Sequence, residues 1–270
     1  MTYGPTPMSP PAVARARSAR PQPVGGAVTD GPAAPTLLAV AHGTRDRAGV
    51  AAHRELLDLV RARRPGLTVR LSFLDLAPPA PAEVLAAARG PVVLVPLLLS
   101  TGYHVTVDLP AIRAAAPHLD IGQARPLGPD PLLAAALEDR LVEAGRSPAR
   151  SGPGGADAVV LAAAGSTDPA ARTGTAVMAD LLRRRLGRPV VPAHLCASSP
   201  TPAEAVRALR AAGHRRVAVA RYLMAPGDFA RRADGAGGCF VSAPLGAHPD
   251  VARLVLKRFD EACGEPARPR

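Results

Sequence analysis

The length, composition and charge of the chain exclude several classes of protein. Its 270 residues are 47% hydrophobic but only 3% aromatic, which is enough for one large domain or two modest ones with a core of Leu, Val and Ala. The formal net charge is +11, and the arginines that supply it are spread over predicted helix faces. Nucleic-acid binding would need them clustered on one face beside a reading element, so we predict no nucleic-acid partner. A basic balance does suit a polyanionic small substrate.

Cysteine spacing and hydropathy exclude further classes of protein. Cys196, Cys239 and Cys263 are far apart and form no C-x-x-C pair, which argues against a zinc finger, an iron–sulfur cluster or a disulfide framework. We therefore expect a reducing, cytoplasmic location. No apolar stretch approaches the roughly 20 residues of a membrane span, so we predict no membrane association. Residues 1–36 are rich in Pro, Ala and Arg and lack the apolar core of a secretion signal, and we interpret them as a disordered tail.

Apolar runs of strand length alternate with helical patterns along the first half of the chain. The predicted strands lie near residues 37–41, 68–74, 91–97 and 121–124. The predicted helices cover residues 48–64, 81–89 and 129–144. Strand and helix alternation of this kind predicts an α/β fold, with a parallel sheet flanked by helices.

The second half of the chain begins the same order again. Its predicted strands lie near residues 157–163, 189–193, 216–222 and 239–242, with helices between them. Four stretches match the first half in the same order, among them "AAGSTD" after the first strand, which matches "AHGTRD". Collinear matches of this kind indicate a duplication. We therefore predict two similar lobes with a cleft between them. The predicted segments are a first lobe at 37–145, a linker at 146–156, a second lobe at 157–264 and a short tail at 265–270.

Two histidines follow predicted strands of the first lobe. His42 comes directly after the first strand, and His104 follows the third. The carboxyl ends of parallel strands meet at one edge of a sheet, where ligands bind. The duplicated lobe has Ala164 and Phe229 at the matching places, so only the first lobe carries the pair. Since a neutral imidazole binds first-row divalent metals or accepts a proton near neutral pH, we predict that His42 and His104 handle a metal in transit.

Other polar residues near the predicted strand ends leave alternatives open. Asp75 ends the second strand and either takes up protons or a metal, or forms the turn ahead of Pro78. Asp108 is expected to cap the helix that follows it. Arg45 and Arg172 follow the two glycine turns and either meet anionic groups or are solvated. The remaining histidines are interpreted as surface residues, with His194, at a strand end of the second lobe, as a candidate for the cleft. These are His53, His118, His194, His214 and His248.

With these residues in hand, the chain resembles the sirohydrochlorin chelatases, class II chelatases of siroheme and cobalamin synthesis. The matching pieces are "AHGTRD" with His42, "FLDLAPP" with Asp75, "VPLLLSTGYHVTVDLP" with His104, and "PLGPDPLL". They occur in family order, and the second half is similar to the degenerate lobe of the longer, fused form. Many relatives have Glu where this chain has Asp75. The histidine-rich tract and the cysteine motif of some long members are absent from the sequence.

The resemblance implies insertion of a divalent metal into sirohydrochlorin without ATP. Fe²⁺, giving siroheme, is the expected metal, and Co²⁺ for cobalamin synthesis is the alternative. His42 and His104 would be the metal-handling pair, with Asp75 as a third catalytic residue and no permanently bound cofactor. Fused lobes that enclose their own cleft are compatible with a monomer. Two other hypotheses remain: a non-catalytic tetrapyrrole-binding or metal-binding protein on the same fold, and an unrelated two-lobed small-molecule binder.

Overall fold

The structure, a computed structural model, describes residues 1, 2, 4, 34–145 and 155–264. The described residues 34–145 and 155–264 belong to one compact unit. The described residues include only 1, 2, 4 and 34–36 of the predicted N-terminal tail and only 155–156 of the predicted linker. The predicted tail at 265–270 lies outside them. Thr36 already belongs to the first strand, so the predicted tail boundary at 36 is wrong by one residue.

The first lobe is a parallel four-stranded sheet in the order β2-β1-β3-β4. The strands are β1 (Thr36–Ala41), β2 (Val69–Phe73), β3 (Val92–Pro96) and β4 (Ile121–Gln123). The helices are α1 (Arg47–Arg63), α2 (Pro81–Ala86), α3 (Leu109–Ala114) and α4 (Pro131–Gly145). Helix α2 ends at Ala86, three residues earlier than predicted, and the chain then turns through Gly90, whose φ is 75°. Glycine adopts that conformation at no steric cost.

The second lobe is a parallel three-stranded sheet in the order β6-β5-β7. The strands are β5 (Ala158–Ala163), β6 (Val190–His194) and β7 (Val217–Tyr222). The helices are α5 (Pro169–Leu186), α6 (Pro202–Ala211), α7 (Asp228–Asp234) and α8 (Pro249–Gly264). The two sheets confirm the predicted fold class, an α/β architecture with two similar lobes.

The predicted strand at 239–242 is wrong. This segment forms only one isolated bridge, between Val219 and Val241, although Cys239 and Ser242 both donate backbone hydrogen bonds to β7. Gly237 and Gly238 precede the segment and Pro244 follows it. Glycine and proline both disfavour a regular ladder, so the extended stretch is too short to form a fourth strand.

One hydrophobic core lies between the two sheets and joins the lobes. It contains residues of β1, α4, β5 and α8, including Leu37, Leu133, Leu161 and Leu254, all inaccessible to solvent. Helix α4, which ends the first lobe, packs on α5 and β7, while α8, which ends the second, packs on α1, β3 and β4. The last helix of each lobe therefore packs against the other lobe, and these contacts fix the positions of the two sheet edges relative to each other.

The structure also describes the state of the cysteine thiols and the hydropathy of the helices. Cys196 and Cys263 are free thiols. Among the described helices, none combines the length and the apolar composition needed to cross a bilayer.

Candidate active site

His42 and His104 meet at the carboxyl edge of the first sheet. β1 and β3 are parallel neighbours, with Val40 opposite Pro96, so the residues that follow them leave the sheet at the same edge. His42 comes directly after β1, and His104 opens a π-helical turn that leads into α3. The two imidazole rings lie edge to face, with centroids 4.6 Å apart and planes at 88°. The structure therefore brings together the two side chains that the sequence singles out.

A glycine turn places His42. Gly43 has a φ of 106°, and a Cβ there would lie 1.7 Å from the backbone oxygen of Asp75. The backbone N–H of Asp75 donates to the carbonyl of His42 at 2.9 Å. The loops after β1 and β2 are thus in direct backbone contact, and only glycine fits at position 43.

Asp75 itself does not join the histidine pair. Its side chain is exposed and accepts a hydrogen bond from the backbone N–H of Leu76 at 2.7 Å. Leu76 has a φ of 63°, and Asp75 is not among the residues that line the cavity beside His42. The described contacts therefore favour the turn-forming alternative, and the predicted catalytic role of Asp75 has no geometric support.

The carboxylate beside the pair belongs to Asp108, whose predicted capping role is wrong. Asp108 makes no side-chain capping bond to α3. Its Oδ2 lies 2.6 Å from His104 Nδ1, because the π-helical turn His104–Asp108 places both side chains on one face. An ionised carboxylate only accepts hydrogen bonds, so in the neutral imidazole Nδ1 carries the proton and Nε2 keeps a free lone pair. The i, i+4 spacing within "HVTVD" was the available sequence signal.

The histidine pair lines a cavity of about 1040 Å³ between the lobes. The first lobe contributes the loops after β1 and β3, and the second contributes the loops after β5 and β7. Tyr103 and Phe229, one from each lobe, line the cavity with 68% and 38% of their surfaces exposed. A cavity at the upper end of the usual size range for small-molecule sites, with accessible aromatic rings on both walls, suits a large flat ligand.

The cavity carries more positive than negative charge. Arg231 of the second lobe bonds to Asp46 of the first at 2.8 Å and also to Asp228, which leaves this group of three with one excess negative charge. The pKa of Asp46 is lowered by the backbone N–H of Ala48 and by the hydrogen bond from Arg231. The other arginines that line the cavity have no carboxylate partner within the described part of the chain. They are Arg45, Arg47 and Arg172.

Three histidines predicted as surface residues are buried. His53 is only 6% exposed because it lies on the apolar face of α1, with Leu56, Leu57 and Val60. His248 is 7% exposed at the start of α8. His194, at the end of β6, is 6% exposed and lines the cavity. The surface interpretation is wrong for His53 and His248, and both His53 and His194 contribute to the cavity wall.

The two parallel sheets, their flanking helices and the cleft between them define a chelatase-like α/β fold in its two-lobed form. The model of the CbiX family matches the chain twice, over residues 36–144 and 158–262. The chain therefore belongs to the CbiX family.

Several known proteins are similar to this chain in sequence or in fold. A protein of Methanosarcina acetivorans named sirohydrochlorin cobaltochelatase is 25% identical over 123 residues, which cover 40% of this chain and 95% of that protein. The solved structure "SirB from Bacillus subtilis with Fe3+" matches with a TM-score of 0.68 and 24% identity, covering 85% of this chain and 95% of that one. The sirohydrochlorin chelatase SirB of Bacillus subtilis subspecies spizizenii in complex with cobalt matches with a TM-score of 0.65 and 22% identity, over 86% and 96% of the chains.

Proposed function

We propose that this protein inserts a divalent metal ion into sirohydrochlorin without ATP. Its membership of the CbiX family and the names of its relatives supply the substrate. The observation that carries the proposal is the pair of imidazoles, 4.6 Å apart, on the wall of a cavity that both lobes line. Since one chain supplies both walls of that cavity, we propose that a monomer is sufficient for activity.

Metal insertion requires labile metal ligands and proton acceptors at one place. The incoming ion must exchange its bound water for the macrocycle nitrogens while two pyrrole N–H protons leave. Neutral imidazoles can bind a first-row divalent ion, and an open set of two ligands releases it more readily than a closed site of four. His42 and His104 together are therefore suited to deliver the metal to the ring.

Asp108 separates the roles of the two histidines. The carboxylate holds His104 Nδ1–H at 2.6 Å and stabilises the imidazolium that forms when Nε2 accepts a pyrrole proton. Within the described residues, no carboxylate contact of this kind is found for His42. We assign His104 as the main proton acceptor and His42 as the main metal ligand, with Asp108 as the positioning residue.

The metal we propose is Fe²⁺, with siroheme as the product, and the alternative is Co²⁺ for cobalamin synthesis. Imidazole and carboxylate ligands accept both ions, so the choice is tested by competition. The purified protein is mixed anaerobically with sirohydrochlorin and equal Fe²⁺ and Co²⁺, and the absorbance of each product is followed. We expect both insertions to be accelerated, with iron product in excess. Cobalt product in excess would transfer the assignment to the alternative.

A control without protein distinguishes catalysis from binding. No acceleration over the uncatalysed rate with either metal would contradict the proposed activity. Saturable tetrapyrrole binding without turnover would instead identify a non-catalytic binding protein on the same fold.

A further inference from the structure

Of the three histidines that are at least nine-tenths buried, two are held by hydrogen bonds to the protein. His53 Nδ1 bonds to the carbonyl of Gly49 at 2.7 Å. His248 Nδ1 accepts from the backbone N–H of Asp250 at 3.2 Å. His194 Nδ1 is buried and has no hydrogen-bond partner among the described residues. A buried polar atom without a partner is costly, so His194 is a poor candidate for a purely structural role.

The position of His194 places its side chain on the cavity wall. It ends β6 opposite Ala163, just as Phe73 ends β2 opposite Ala41 in the first lobe. The first lobe thus has an apolar ring, Phe73, at the place where the second lobe has an imidazole. His194 lines the cavity from the lobe that lacks the metal-handling pair.

Arg172 shares this part of the cavity wall. It lies in α5, and its guanidinium bonds to the backbone carbonyl of Thr167 at 2.9 Å, with no carboxylate partner in the described ranges. The pKa of His194 is lowered, first by burial and then by the charge of Arg172, so the imidazole is neutral near pH 7. A neutral N–H donor beside a guanidinium suits an anionic oxygen ligand, while the positive charge disfavours a metal cation.

We propose that His194 and Arg172 bind one carboxylate of the tetrapyrrole substrate, which makes the second lobe a substrate-anchoring lobe. This inference rests on the proposed function, because that function supplies the polycarboxylate ligand. The second lobe, with Ala164 and Phe229 where the first has His42 and His104, would then not handle the metal but would still bind the tetrapyrrole. Anchoring the edge of the macrocycle from the second lobe would hold its centre against His42 and His104.

The test measures the affinity for metal-free sirohydrochlorin by anaerobic absorbance titration, alongside kcat and KM. His194→Phe installs the ring found at the matching place of the first lobe, and Arg172→Gln removes the charge. We expect each to weaken binding about tenfold, the usual order for one hydrogen bond to a charged group, and to raise KM by more than it lowers kcat. His194→Gln keeps an N–H donor and should retain part of the affinity. His118→Phe and Arg70→Gln, at exposed positions outside the cavity, are the matched controls.

Fold stability and a neutral ligand complete the test. His194→Phe should keep or raise Tm, because it replaces an unpartnered buried nitrogen with an apolar ring. A sirohydrochlorin ester, whose carboxylates carry no charge, should bind wild type and His194→Phe equally. Wild-type affinity in both His194→Phe and Arg172→Gln would overturn the inference, as would a fall in Tm of His194→Phe without loss of affinity.

The titration needs no turnover, so the two proposals fail separately. Binding that depends on His194 in a protein without insertion activity would contradict the proposed function and support the anchoring site. Insertion activity in a protein whose affinity for sirohydrochlorin does not depend on His194 or Arg172 would contradict the anchoring site and support the proposed function.

Discussion

His104 Nδ1 and Asp108 Oδ2 lie 2.6 Å apart, one π-helical turn from each other along the chain. This pairing fixes the tautomer that leaves Nε2 free for the metal or a pyrrole proton. Asp108→Asn keeps an acceptor oxygen but removes the charge, so we expect kcat for insertion to fall about 10-fold to 100-fold, the usual effect of losing such a partner. Steady-state kinetics in the presence of saturating metal measure the change.

Asp75→Asn is the matched control for that experiment. Its carboxylate bonds to the adjacent backbone N–H of Leu76 and lies outside the cavity lining, so we expect turnover to change less than about threefold. Equal losses in the two variants would return Asp75 to the catalytic set and contradict the special role given to Asp108.

His53 is expected to matter for stability and not for chemistry. It is buried in α1, bonds to Gly49 and lies edge to face against Phe73, with ring centroids 5.9 Å apart. His53→Ala should lower the free energy of unfolding by about 1–3 kcal/mol, through lost packing and the lost hydrogen bond. Urea unfolding measures this loss. Turnover per folded molecule should stay near the wild-type value, and a selective loss of kcat would place His53 in the reaction.

The two glycine turns offer a symmetric comparison. A Cβ at Gly43 would lie 1.7 Å from Asp75 O, and one at Gly165 would lie 1.9 Å from Cys196 O. Both glycines have positive φ, 106° and 102°, so Gly43→Ala and Gly165→Ala should each destabilise the fold by about 2–4 kcal/mol.

Only one of the two changes should displace a metal-handling residue. Gly43→Ala moves the loop that carries His42. Under conditions in which both variants are folded, kcat should therefore fall more in Gly43→Ala than in Gly165→Ala. If both variants kept wild-type kcat and stability, the backbone contacts described for these turns would be wrong.

A buried ion pair between the lobes predicts acid sensitivity. Arg258, 1% exposed, bonds to Asp130 at 3.0 Å, and Lys257 bonds to the same carboxylate at 2.8 Å. Burial raises the pKa of Asp130, but the hydrogen bond from Lys257 and the charge of Arg258 outweigh it, so the pKa lies below its ordinary value of 3.8. The stabilisation is therefore fully present above pH 3.8 and is lost as the pH falls through the lower, folded-state value.

Asp130→Asn tests that ion pair. Removing the carboxylate leaves the buried Arg258 with only the longer ion pair to Glu261, at 3.2 Å, which should cost about 3 kcal/mol of unfolding free energy at pH 7, the lower end for a broken buried pair. Unfolding curves between pH 6 and 2 should show a steeper acid loss in wild type than in the variant. Parallel pH profiles would show that Asp130 has the same pKa in the folded and unfolded states.

Sequence patterns specify the sheets well because buried parallel strands appear as continuous apolar runs. They also place His42 and His104 at one edge, since that follows from strand direction alone. The position of Asp108 was not predictable in this way, because it depends on a π-helical turn where a capping residue at the start of α3 was the simpler expectation. His53 was misjudged because its burial depends on which face of α1 meets the core. For His194, the one available signal was its strand-end position, matching that of Phe73.

The central claim is that two imidazoles of the first lobe handle the metal in the shared cleft. Anaerobic insertion rates of His42→Ala, His104→Ala and the exposed control His118→Ala, each checked for an unchanged Tm, test it most directly. We predict that both cleft variants lose most of the turnover with Fe²⁺ and with Co²⁺, while His118→Ala keeps it. Wild-type rates in His42→Ala and His104→Ala would contradict the claim.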